Sequence, residues 1–145
     1  MLLRPRQETM VGNIVGALSE HDNTLAVAPT GAGKTVMLSA ALGRMFKKGS
    51  LNKACVLQHR DELTTQNSAT FLRMNPSLTA SFFNAEAKSW RGDVGFAMVQ
   101  TLTRPENRET MPVLDALIID EAHHACADSY LRIIEQARKN NPNCK

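Results

Sequence analysis

Short apolar runs alternate along this chain with longer stretches in which apolar residues recur every three or four positions. The first pattern suits strands covered on both faces; the second suits helices with one buried face. Residues 6–18 predict a helix, and residues 24–27, Thr-Leu-Ala-Val, predict a buried strand. From Lys34 onward the spacing is again helical, ending near Lys48-Gly49, where glycine stops a helix and lysines suit its carboxyl end. Residues 54–57 predict the next strand, and residues 61–71 a helix closed by Asn75-Pro76. Two further strands are predicted at residues 78–83 and 94–99, separated by a loop around 89–93. Residues 101–109 predict a short or broken helix, because Pro105 limits it. Residues 114–119 predict a strand within an apolar run expected to be covered on both faces. In the tail, Tyr130, Leu131, Ile133, Ile134 and Ala137 fall at helical spacing, with Asp128 as the cap. Strand and helix alternate throughout, which predicts an α/β fold: a parallel sheet flanked by helices.

The chemistry is concentrated in two segments. Ala28-Pro29-Thr30-Gly31-Ala32-Gly33-Lys34-Thr35 lies between a predicted strand and a predicted helix. A triphosphate is held by a concave run of backbone N–H groups, a helix N-terminus and one lysine. Gly31 and Gly33 let the backbone turn tightly and approach phosphate oxygens, Lys34 reaches the β- and γ-phosphates, and the Thr35 hydroxyl suits Mg²⁺. Ala28 stands where the general pattern of such loops has glycine.

The second segment is Leu117-Ile118-Ile119-Asp120-Glu121-Ala122-His123-His124. An apolar strand here delivers two carboxylates to the carboxyl edge of a parallel sheet, where such folds bind ligands. Asp120 would hold Mg²⁺, and Glu121 would orient the attacking water. Standing alone, the two acids would read as an ordinary helix start. Following the phosphate loop, they read as the other half of an ATP-Mg²⁺ site.

Asp120-Glu121-Ala122-His123 spells the DEAH form of a helicase motif, and Ala28 to Thr35 matches the Ala-x-x-Gly-x-Gly-Lys-Thr loop. On these residues the chain resembles a superfamily 2 DEAD/DEAH-box helicase or translocase of the restriction-subunit and DNA-repair type. The resemblance implies a RecA-like P-loop NTPase lobe. It implies ATP and Mg²⁺ as cofactors, with Lys34, Asp120 and Glu121 catalytic, Thr35 and Asp120 on the metal, and His123 coupling the site to motifs further along. It also implies nucleotide contacts from Arg4 and Gln7 in Leu3-Arg4-Pro5-Arg6-Gln7, with Gln7 reading adenine, and from Pro29, Thr30, Gly31, Ala32 and Gly33. Nucleic-acid contacts are implied for His59 and Arg60, within residues 56–66, and for Gln100 and Thr101. Read without the resemblance, Arg60-Asp61 could be a solvated helix start and Gln100-Thr101 a helix cap. Gln58 departs from the apolar residue usual at its position in the family.

Composition narrows these expectations only modestly. A net charge of +3 permits nucleic-acid binding without a basic run to demand it. Aromatic content of 5% gives no evident stacking platform, and Trp90 beside Arg91 reads as a loop anchor. Cys55, Cys126 and Cys144 are widely spaced, which disfavours a disulfide framework and favours a reducing, cytoplasmic setting. Cys55 and Cys126 read as small buried residues, and His123, His124 and Cys126 lack the partner pair that a zinc site needs. No run reaches transmembrane length, so no membrane association is expected.

The sequence reaches Asn140-Asn141-Pro142 without the Ser/Thr-Ala-Thr segment that the resemblance places next. The expectation is therefore that residues 1–145 form a partial N-terminal lobe, incomplete at the carboxyl end, with the second RecA-like lobe absent. The favoured function is ATP hydrolysis coupled to movement on nucleic acid, DNA rather than RNA. The alternatives are a restriction or remodelling motor that translocates without strand separation, or a nucleotide-binding module inactive in isolation.

Overall fold

The computed structural model describes residues 5–20, 34–49, 51–58, 61–119, 128–142 and 144. Their elements are α1 (Pro5–Glu20), α2 (Lys34–Lys47), β1 (Ala54–Gln58), α3 (Asp61–Met74), β2 (Ala80–Phe83), β3 (Val94–Met98), α4 (Val99–Leu102), α5 (Pro105–Arg108), β4 (Ala116–Ile119) and α6 (Asp128–Asn140). The strands form one sheet in the order β2-β3-β1-β4. Every ladder is parallel. The sequence order is thus not the spatial order, and helical crossovers carry the chain between parallel neighbours.

Side chains alternate across the sheet, so each strand feeds two cores. Ala54 and Val56 of β1 join Val94 and Phe96 of β3, Ala116 of β4, and Val11, Met37, Leu42, Met45 and Phe71 from α1, α2 and α3. Phe71 meets Phe96 edge-on, with ring centroids 5.9 Å apart. Cys55 and Leu57 face the other way, into a cluster with Ala97, Leu102, Leu114, Tyr130, Ile133 and Ala137. Helices α1 to α3 therefore cover one face, and α4 with α6 the other. β1 is buried along its whole length, as a central strand covered on both sides must be.

Two connections show how local chemistry sets the boundaries. α2 stops at Gly49, whose φ of 77° is one that residues with a Cβ rarely adopt. Its N–H donates to the Phe46 carbonyl at 3.0 Å. α3 ends on Asn75, whose Nδ2 donates to the Phe71 carbonyl at 3.2 Å and across to the Ser39 carbonyl of α2 at 3.1 Å. Gly43 leaves the room for that approach: a Cβ there would meet Asn75 Oδ1 at 2.1 Å.

Several sequence expectations need adjustment. β2 begins at Ala80 rather than at residue 78, and β3 ends at Met98, where Val99 turns into α4. The expected broken helix is two short ones. Arg104 is extended (φ −69°, ψ 134°), because the proline that follows disfavours helical backbone there, and Pro105 then opens α5. β4 begins at Ala116 rather than at residue 114. Just before it, Asp115 Oδ2 accepts from the Asn52 and Lys53 backbone N–H groups at 2.8 and 3.2 Å. Only Ala116 of β4 is fully buried, so full coverage of this strand is not reached by the described residues. β4 pairs with β1 alone among them. Val113, just upstream, is 59% exposed. The strand expected at residues 24–27 lies outside the described residues.

Candidate functional site

α2 is 14 residues long, roughly 21 Å at the helical rise, and a short link joins its carboxyl end to the start of β1. It packs back along the sheet through Met37, Ala41 and Met45. Its first residue, Lys34, therefore opens the helix at the carboxyl edge of the strands. The first turn holds no acidic side chain to compete for the backbone N–H groups that a helix start leaves without intrahelical partners. Thr35 occupies the next helical position; for both residues only the backbone is described.

The same edge receives the exits of the other candidate segments. Leu57 of β1 is opposite Ile119 of β4, and Gln58 is opposite Met98 of β3. The chain leaves these neighbouring strands toward Asp120 from β4, His59 from β1 and Gln100 from β3. Segments far apart in sequence thus share one edge of one sheet. Asp120, Glu121, His123, His59, Arg60, Arg4 and the loop residues Pro29, Thr30, Gly31, Ala32 and Gly33 lie outside the described residues. Gln7 falls in α1, with only its backbone described.

Gln100 and Thr101 sit in α4, directly after β3. Gln100 is exposed and Thr101 half-buried. Neither caps the helix: Met98 is the extended residue before it, and Thr103 closes it. The Thr101 carbonyl accepts from Asn107 Nδ2 at 2.8 Å, which ties α4 to α5.

Trp90 is the loop anchor that its isolation suggested. It stacks on Phe83 at 4.9 Å, and its Nε1 donates to the Thr110 hydroxyl at 3.1 Å. Lys53 donates to its carbonyl. A ring committed in this way is no platform for a nucleic-acid base.

Cys55 is buried as expected, and burial together with the neighbouring Cys144 pushes its thiol far up. Cys144 is also buried, which its position near the end of the sequence did not suggest. Burial raises its pKa to about 11, with Arg138 lowering and Asp115 raising it. Both are free thiols held neutral. Sequence reasoning also missed what surrounds Gln58. Its side chain is fully buried, and neither amide atom has a hydrogen-bond partner among the described residues. The signal was present, as a polar residue closing an otherwise apolar strand.

Comparison with known proteins agrees with this architecture. Residues 1–142 match the family described as type III restriction enzyme, res subunit. A Saccharomyces cerevisiae protein named "Putative ATP-dependent helicase IRC3" is 30% identical over 154 residues, covering 99% of this chain and 22% of that protein. The chain thus spans about a fifth of the length of this curated relative. The SWI2/SNF2 ATPase core of Sulfolobus solfataricus, solved with double-stranded DNA, superposes with a TM-score of 0.81 at 16% identity, over 94% of this chain and 30% of that one. A "hypothetical ATP-dependent RNA helicase" of Sulfolobus tokodaii gives 0.72 at 15% identity, over 100% of this chain and 44% of that one. At such identities the structures establish the fold and the family match establishes kinship. The chain belongs to the type III restriction enzyme res-subunit family, in the N-terminal RecA-like lobe of superfamily 2 helicases.

Proposed function

We propose that this chain is the ATP-binding lobe of a motor that couples ATP hydrolysis to movement on DNA. The observation that carries the reading is the convergence of β3, β1 and β4 on the edge where α2 opens with Lys34. That arrangement suits a triphosphate held by a helix start, with carboxylates arriving from the adjacent strand.

The described part of the site fits Mg²⁺-ATP in one respect: the opening turn of α2 carries no acidic side chain to repel phosphate. Thr35 and Asp120 would hold the ion, which would neutralise charge on the phosphates. Lys34 would bind the β- and γ-phosphates, Glu121 would orient the water, and Gln7 with Arg4 would select adenine. His59, Arg60, Gln100 and Thr101 would meet the nucleic-acid backbone; Gln100 is exposed beside the site and suits that role. His123 would pass the state of the nucleotide to a second lobe, which the much greater length of the yeast relative can accommodate.

DNA is favoured by the restriction-family kinship, which also favours translocation without strand separation as the second reading. The buried free thiols Cys55 and Cys144 suit a reducing compartment such as the cytoplasm. Among the described residues no helix is long and apolar enough to cross a membrane.

The test is Mg-ATP turnover by this chain with single-stranded DNA, duplex DNA and RNA, using Lys34→Ala as the blank. The expected result is turnover barely above the blank, with any stimulation coming from DNA. Stimulation by RNA alone would overturn the choice of polymer. Turnover unchanged by Lys34→Ala would overturn the site.

A further inference from the structure

α4 is four residues long and follows β3 directly. In so short a helix every carbonyl belongs to the end that lacks regular intrahelical partners, so bonds from outside decide how the turn is held. The Thr101 carbonyl accepts from the Arg104 N–H at 3.4 Å and from Asn107 Nδ2 at 2.8 Å. The shorter of the two bonds thus comes from the next helix, out of a side chain that is buried. An apolar residue at position 107 would fill the same space and leave that carbonyl without its better partner.

Asn107 is itself held. Its backbone N–H donates to the Arg104 carbonyl at 3.0 Å, and its own carbonyl accepts from the Thr110 hydroxyl at 2.6 Å. That hydroxyl accepts in turn from Trp90 Nε1 at 3.1 Å, and the Trp90 ring stacks on Phe83. A line of bonds therefore runs from the connection between β2 and β3, through Thr110 and Asn107, to α4. At its far end Val99 and Leu102 are buried against the core, while Gln100 is exposed and Thr101 half-buried. What the line fixes is the seat of the one turn that carries Gln100 and Thr101.

We propose that Asn107 is a positioning residue for nucleic-acid contact. By holding the Thr101 carbonyl it fixes the turn from which Gln100 and Thr101 meet the phosphate backbone, and Trp90, through Thr110, keeps Asn107 in place. This rests on the reading of α4 as a nucleic-acid contact and adds to it the residues that set its geometry. Asn107 is buried and acts through α4 without touching the polymer.

The test uses this chain with fluorescein-labelled DNA, single-stranded and duplex, followed by anisotropy. The variants are Asn107→Ala, Gln100→Ala and the two combined. Thr110→Val, at an exposed position, is the second route should Asn107→Ala fold poorly. Asn75→Ala, which loosens α2 and α3, controls for lost stability with no change at α4. The expected result is a loss of DNA affinity of about threefold to tenfold in Asn107→Ala, the scale of one hydrogen bond. Thr110→Val should lose less in the same direction, and Asn75→Ala should bind as wild type does. With Gln100 already replaced, Asn107→Ala should cost less than it does alone, because residues that act through one contact are not additive. A merely structural Asn107 would give an equal loss in Asn75→Ala, an additive loss in the combined variant, or no loss, and each of these overturns the proposal. If Gln100→Ala weakens binding in that case, the reading of α4 stands and only the role of Asn107 falls. If wild type binds no DNA, or Gln100→Ala binds as wild type does, the reading of α4 falls and the role of Asn107 with it.

Discussion

Leu57 stands opposite Ile119 in a parallel ladder, and the residue that follows Ile119 is Asp120. A buried central strand thus fixes where the acidic segment leaves the sheet. Replacing Asp120 by Asn keeps the shape and removes the charge that would hold Mg²⁺. The expected outcome is a fall in any ATP turnover of about a hundredfold or more, on the scale of losing a preorganised electrostatic group. Nucleotide affinity in EDTA should be little changed. Equal affinity loss with and without Mg²⁺ would show that Asp120 supports the fold rather than the ion.

Gly92 packs against the start of β2. A Cβ at this position would meet the Ala80 carbonyl carbon and the Ser81 nitrogen at 2.5 Å, and backbone cannot swing aside as a side chain can. Gly92→Ala should destabilise the fold by about 1–3 kcal/mol, the range for overpacking. Urea unfolding followed by circular dichroism checks this, and a stability equal to wild type would contradict it.

Asn75 couples α2 to α3 through Ser39 and Phe71. Asn75→Ala should cost about 1–3 kcal/mol, since it removes two part-buried hydrogen bonds, at about 0.5–1.5 kcal/mol each, one of which ties α3 to α2. Hydrogen exchange would show the loss concentrated in α2 and α3. A loss spread evenly over the sheet would contradict the link.

The thiols give a pH dependence. Burial raises both Cys55 and Cys144, the latter to about 11, from an ordinary value of 9.0. The folded state therefore keeps protons that the unfolded chain releases. This stabilising contribution is full below pH 9 and is lost as pH rises from about 9 through 11 and beyond. Denaturant midpoints should hold steady from pH 7 to 8.5 and fall above pH 9, and Cys55→Ser with Cys144→Ser should flatten that fall. Thiol reagents at neutral pH should label Cys55 and Cys144 only after unfolding.

Much of this was legible in residue order. The alternation of apolar runs gave β1, β3 and the helices because those elements bury whole faces, and burial is what periodicity records. Gly49 and Pro105 marked boundaries because their backbone restrictions are local. The start of β4 was misjudged because Asp115 is held by Asn52 and Lys53 from across the fold, which no local pattern announces. The phosphate-loop and acidic motifs stand out in the sequence because such chemistry fixes both residue type and spacing, and residues 28–33 and 120–124 lie outside the described residues. The burial of Cys144 and the isolation of the Gln58 amide are tertiary facts, set by what packs around them.

The central claim is that Lys34 and Asp120 belong to one Mg-ATP site. Isothermal titration of Mg-ATP into this chain, its Lys34→Ala variant and its Asp120→Asn variant tests that most directly. The account predicts binding by wild type, its loss in Lys34→Ala, and loss of only the Mg²⁺-dependent part in Asp120→Asn. Binding that survives Lys34→Ala, or no binding by the folded wild-type chain, would contradict it.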